Sequence, residues 1–148
     1  MPFDGDISGC AWNGRAFFRK HGTLLARKGR MMRNLLSSYD FLCISDTHSS
    51  DEAVLAFRTD PCNQDLISFW SHESPQRGGV GIVLRPSFAA KFHKINATDW
   101  QEMIPGRLAR LRLRHNLGRL DIFVAYLCPR SRENRLHAIQ RIADTPDD

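Results

Sequence analysis

The sequence predicts an α+β domain in which strands form the centre and helices gather toward the two ends. Three observations carry this. Residues 41–44 (Phe-Leu-Cys-Ile) are a short apolar run bounded by polar residues, as in a strand buried on both faces. Arg110-Leu111-Arg112-Leu113-Arg114 alternates with period two, as in a strand buried on one face only. Met31, Met32, Leu35 and Leu36 recur at i, i+3 and i+4, the apolar stripe of a helix packed on a core.

In chain order, residues 6–12 read as a small-residue strand stopped by Asn13-Gly14, a pair that tolerates positive φ and favours a turn. Asn13 is then an amide at a strand end, serving either as a plain turn residue or as a group that orients a carboxylate or a phosphate. Residues 28–38 form the Met/Leu helix, and the order strand, helix, buried strand is βαβ-like. The buried strand ends abruptly in Ser45, Asp46, Thr47 and His48. A carboxylate and an imidazole at that place lie where α/β proteins collect their chemistry, although a turn followed by a helix cap uses the same residues. Residues 50–57 form a short helix capped by Ser49 or Ser50, with Glu52 in its first turn and Thr59-Asp60-Pro61 ending it.

Residues 66–70 are a strand, and residues 71–77 a polar loop. Gly78-Gly79-Val80-Gly81-Ile82-Val83-Leu84 is a strand entered through glycines, not a dinucleotide fingerprint, because no helix opens after it at the right place. After Gly106-Arg107 the arginine strand carries leucines on one face and arginines on the other. The arginine face is either a solvated surface or a row that faces phosphates. His115-Asn-Leu-Gly118 turns the chain into the strand of residues 119–126, which ends at Tyr126. Residues 131–144 close the fold as a helix capped by Ser131, with Leu136, Ile139 and Ile142 (or Ala143) as its apolar stripe, before a polar tail over residues 145–148. The expected count is six strands and three helices.

The bulk composition suits one domain: 148 residues, 42% hydrophobic and 25% charged, with no repeat or low-complexity tract. A net charge of +5 favours a polyanionic partner. Cys10, Cys43, Cys62 and Cys128 show no C-x-x-C spacing, which argues against structural zinc and for reduced thiols in an intracellular protein, cytoplasmic or nuclear. The acidic amino terminus has no apolar run behind it, so the expectation is a protein that is not secreted. No stretch approaches the ~20 apolar residues of a membrane-spanning helix.

Asn13, Asp46 with His48, and Tyr126 are polar strand ends in a set order, with Gly78-Gly79 and Gly106-Arg107 between them. In this the chain resembles the first half of the endonuclease/exonuclease/phosphatase (DNase I-like) superfamily, and most of all the abasic-site-type endonuclease domain of non-LTR retrotransposons. The resemblance implies a four-layer α/β/β/α sandwich, here truncated before its second sheet is complete, with residues 1–148 as a partial domain. It implies hydrolysis of phosphodiesters or phosphomonoesters with Mg²⁺ or Mn²⁺. It assigns Asp46 to the metal and Asn13 to arranging metal and phosphate. Tyr126 is assigned to a hydrogen bond with the scissile phosphate, and Gly78 and Gly79 to a glycine pair at a strand entrance. Such residue types suit the reaction, since Mg²⁺ takes carboxylate oxygens plus waters, and an amide and a phenol donate to phosphate without adding charge.

The departures from the family pattern carry expectations of their own. Aspartate stands in Ser45-Asp46-Thr47-His48 where the family has glutamate, which draws the ligand back by roughly 1.5 Å. Leu127 and Cys128 separate Tyr126 from Pro129. Neither the family's Gly-Asp-x-Asn nor its Ser-Asp-His occurs, so this chain alone is expected to hydrolyse poorly. A lone first half is expected to leave an apolar sheet face uncovered and to self-associate through it. The partner expected is nucleic acid, DNA in particular, and no membrane. A second reading is a non-catalytic nucleic-acid-binding module that uses Arg107, Arg110, Arg112 and Arg114; a third keeps the superfamily and moves the substrate to a lipid or small phosphoester. His48 is not read as catalytic, because the family's working histidine belongs to the second half.

Overall fold

The computed structural model describes residues 5–18, 22–127 and 132–145. The chain opens with strand β1 (Gly9–Asn13), helix α1 (Gly22–Ser38) and strand β2 (Phe41–Ser45). β1 and β2 run parallel with Asn13 beside Ser45, so the expected βαβ unit is present and its two strand ends coincide. Helix α2 (Asp51–Thr59) follows, capped by the Ser50 side chain, which accepts from the Ala53 amide. Strands β3 (Ile67–Ser71) and β4 (Val80–Leu84) then complete a sheet of order β1-β2-β4-β3. After the single turn α3 (Pro86–Ala89), strands β5 (Trp100–Ile104), β6 (Leu108–His115) and β7 (Gly118–Ala125) make a second, antiparallel sheet in chain order. Helix α4 (Arg132–Ala143) ends the described fold.

The inner faces of the two sheets form one core. Val80, Ile82 and Leu84 of β4 meet Ala109, Leu111 and Leu113 of β6 and Ile122 and Val124 of β7, all buried. The opposite face of the first sheet carries a second core, where Leu42, Ile44 and Val83 pack with Phe17, Phe18, Met32, Leu36, Val54, Phe57 and Trp70. β4 is buried along its whole length because both cores use it. The arginine strand behaves as its alternation requires: Leu111 and Leu113 point inward, while Arg110 and Arg112 face out toward the last turn of α4. The layers therefore run helix, sheet, sheet, helix.

Several expectations change. The predicted uncovered sheet face is not found among the described residues, because this chain supplies strands to both sheets and their apolar faces cover one another. β5 was not expected: a register shift between Glu102 and Ile104 breaks its alternation, and Gln101 and Glu102 are both exposed. α1 starts at Gly22, ahead of the expected Lys28, and the stripe splits: Met32 and Leu36 are buried while Met31 is 45% exposed. Positive φ falls not on Asn13-Gly14 but on Arg15 and Ala16, and Asn13 closes the turn by accepting the Arg15 amide at 3.0 Å. Among the described side chains of α4 the buried one is Ala138, whereas the stripe residues Leu136 and Ile139 are each more than half exposed. The expected Ser131 cap, together with His21, Cys128 and Pro129, lies outside the described residues.

Candidate functional site at one end of the sandwich

Strand register decides where the polar strand ends go. Asn13, Ser45, Val80 and Ser71 stand side by side across the first sheet. Whatever follows β1, β2 and β3, or precedes β4, therefore emerges at one edge. In the second sheet Leu108 pairs with Ala125, which brings Arg107 and Tyr126 together, and the Tyr126 amide donates to the Arg107 carbonyl at 2.7 Å. Backbone hydrogen bonds tie the two sheets at this end. The Ala16 and Phe18 amides donate to the Asp46 and Thr47 carbonyls, and the Thr47 and His48 amides to the Gly79 and Gly78 carbonyls. The Gly79 amide donates to Gly106, and the Gly106 amide to Ser71 Oγ. Asn13, Asp46, Arg107 and Tyr126 thus belong to one continuous hydrogen-bonded rim.

The glycine pair is a steric requirement of that rim. Gly78 and Gly79 have φ of +67° and +94°, where a side chain is strained. A Cβ at Gly78 would stand 1.9 Å from Glu73 Oε2, and one at Gly79 would stand 2.1 Å from Thr47 Oγ1. Asp46 and His48 also adopt positive φ, 54° and 50°, without being glycine. Non-glycine residues held there at a strand end store strain, which clusters at functional sites. His48 Nε2 lies 2.9 Å from Asp46 Oδ1, so the imidazole fixes the carboxylate, and Asp46 Oδ2 accepts no hydrogen bond among the described residues.

Behind Asp46 the side chains form a relay. Thr47 Oγ1 and Ser49 Oγ are 2.8 Å apart and buried, His72 Nδ1 lies 2.7 Å from Ser49 Oγ, and His72 Nε2 lies 3.1 Å from Asp51 Oδ1. Beside it Glu73 accepts from Arg107 at 2.7 Å and from Arg77 at 3.1 Å, while its buried Oε2 has no hydrogen-bond partner. Ser49, His72 and Glu73 were not singled out from sequence. The signal available was position, since His72-Glu73 follows directly on β3 as Asp46 follows on β2.

Not every predicted residue joins the rim. Arg110, Arg112 and Arg114 run away from it along β6. Arg112 makes a two-pronged pair with Asp121 at 3.0 and 3.1 Å, and Arg114 is paired with Asp99, so two of the three guanidiniums already face carboxylates. As to a metal, no group of three or more His, Cys, Asp or Glu gathers among the described residues. A soft or cage-bound ion therefore has no donor set among the described residues. Mg²⁺ needs only one or two carboxylates with waters and substrate oxygens, and the single carboxylate of Asp46, with one oxygen held and one open, fits that requirement.

No family model matches this sequence, and no curated protein matches it significantly. Solved structures do match by shape. A D. rerio TDP2 complexed with single-strand DNA product aligns over 98% of this chain and 58% of its own, with TM-score 0.62 and 18% identity. A humanized D. rerio TDP2 carrying 14 mutations aligns over 95% of this chain and 61% of its own, with TM-score 0.59 and 17% identity. The chain spans about three fifths of the length of these structures. The mixed α+β architecture with two packed sheets is a partial DNase I-like fold, as the sequence suggested.

Proposed function

We propose that this chain is a metal-dependent phosphodiesterase domain of the endonuclease/exonuclease/phosphatase type, acting on nucleic acid. The observation that carries the reading is convergence: four strand ends from two sheets bring Asn13, Asp46, Arg107 and Tyr126 to one rim, over a glycine pair. Asp46 would hold the metal through Oδ2 while His48 holds Oδ1. Tyr126, and the amide nitrogen of Asn13 whose oxygen is taken by Arg15, are the donors for phosphate oxygens. Arg107 stands beside them with its guanidinium paired to Glu73. Mg²⁺ held by Asp46 would supply positive charge to the phosphate and to the leaving oxygen. Nucleic acid as substrate class is supported by the net charge of +5 and by the DNA product held in one structural neighbour.

The retroelement-type endonuclease is the finer reading, and Ser45-Asp46-Thr47-His48 with Gly78-Gly79 supports it. The free thiols of Cys10, Cys43 and Cys62 support an intracellular setting. Hydrolysis by these 148 residues alone is expected to be weak, since the sequence holds neither Gly-Asp-x-Asn nor Ser-Asp-His. The test is Mg²⁺-dependent cleavage of supercoiled, abasic and single-stranded DNA by the purified chain beside Asp46→Ala. Slow cleavage that needs metal and disappears in the variant supports the reading. Metal binding that is identical in both proteins, with no cleavage by either, overturns it.

A further inference from the structure

Asp46, Thr47 and His48 form a turn that their own backbone preferences disfavour. Asp46 and His48 sit at φ 54° and 50° with Thr47 between them, and such a turn persists only where its surroundings over-determine it. Backbone ties supply part of that. The Asp46 and Thr47 carbonyls accept from Ala16 and Phe18, and the Thr47 and His48 amides donate to Gly79 and Gly78. A side-chain tie adds to them from two strands away. Register sets Ser45 of β2 and Ser71 of β3 on either side of Val80 in β4. His72, the first residue after β3, therefore reaches across the start of β4 to the segment that follows β2. Its Nδ1 lies 2.7 Å from Ser49 Oγ, which lies 2.8 Å from Thr47 Oγ1. Thr47 and Ser49 are buried, and a buried hydroxyl needs a partner. The far end of the chain assigns its hydrogens. Asp51 Oδ1, 3.1 Å from His72 Nε2, is an acceptor, so Nε2 donates to it. Nδ1 of the neutral ring then accepts from Ser49, and Ser49 accepts from Thr47.

We propose that His72 is a positioning residue of the Asp46 site: acting through Ser49 and Thr47, it fixes the turn that presents Asp46 Oδ2 to a divalent cation. His48 holds the carboxylate directly, while His72 holds the backbone from which both Asp46 and His48 project. Thr47 Oγ1 has room for this contact only over a glycine, since a Cβ at Gly79 would stand 2.1 Å from it. The inference rests on Asp46 as the metal ligand and adds to that site a residue that touches neither metal nor substrate. Partners of this kind orient a ligand, and their loss typically costs metal affinity about 10- to 100-fold.

The test uses the full chain and isothermal titration with Mn²⁺, with the urea midpoint of every variant measured alongside. His72→Leu removes the acceptor for Ser49 and is expected to weaken Mn²⁺ binding by about 10-fold. Ser49→Ala breaks the chain at its middle and is expected to weaken it likewise. His72→Asn, whose amide oxygen can accept from Ser49 in place of Nδ1, is expected to restore most of the affinity at a similar urea midpoint. Asp46→Ala is the control that removes the ligand itself. Affinity lost in Asp46→Ala yet equal to wild type in His72→Leu and Ser49→Ala overturns this proposal alone. Losses that asparagine does not restore and that follow the urea midpoint mark a general loosening of the fold and overturn it too. A wild type that does not bind Mn²⁺, or binds it no better than Asp46→Ala does, overturns the reading of Asp46 and this proposal with it.

Discussion

Asp46 carries two burdens, a left-handed backbone and a carboxylate fixed on one side by His48. A non-glycine residue at φ 54° costs of the order of 1 kcal/mol, so the position is tuned for something other than stability. Asp46→Gly is therefore expected to shift the urea midpoint only slightly, and upward, by less than about 1 kcal/mol, while abolishing metal-dependent cleavage. A loss of stability beyond that would mean the Asp46–His48 contact holds the rim together. Cys43 shows the opposite case, a residue whose environment silences it. Burial raises its thiol from 9.0 to about 12, with Cys10 adding to the shift. Because the folded pKa is the higher one, the unfolded chain loses this proton first as pH rises. Stability is full below pH 9 and falls by about 1.4 kcal/mol per pH unit from this group until pH 12. Chemical denaturation at stepped alkaline pH should show a shallower decline for Cys43→Ala than for the wild type.

At the scale of elements, β3 and β4 meet through an aromatic laid over a glycine. Trp70 is paired with Gly81, and a Cβ there would stand 2.2 Å from the indole. Gly81→Ala must push Trp70 out of the cluster it forms with Phe17, Phe18 and Phe57, and is expected to cost about 1–3 kcal/mol. Trp70→Leu in the same background should recover part of that loss, which equilibrium unfolding of the double variant would measure. Elements with a clean pattern were legible from sequence: β2 from its apolar run, β6 from its alternation, the hairpin from His115 to Gly118, and α2 from its Ser50 cap. β5 was hidden because its register shift erases the two-residue period. The rim was half legible. Asn13, Asp46 and Tyr126 are polar residues ending apolar runs, whereas Glu73 and His72 gain meaning only when register sets β3 beside β4 and Gly106 against Glu73.

At the scale of the molecule, two cores share β4, so the first sheet cannot lose either face without exposing the strand between them. α4 stands outside this arrangement. Ala138 is its buried anchor, while Leu136, Ile139 and Ile142 are 52%, 51% and 37% exposed. The pattern of those three looked like a core stripe in the sequence, because periodicity reports which residues share a helix face and not which way the face turns. Free energy of local opening follows buried apolar contact, so it should differ sharply across the chain. In native-state hydrogen exchange, amides of β2, β4 and β6 are expected to exchange only by global unfolding. Those of α4 are expected to open at least ~2 kcal/mol more easily. The experiment should be run at two protein concentrations. Protection of α4 that stays low at both means the helix lies loosely on the second sheet. Protection that reaches the level of β4 and rises with concentration means that copies of the chain cover its apolar side, so that self-association runs through a helix and not through a sheet face.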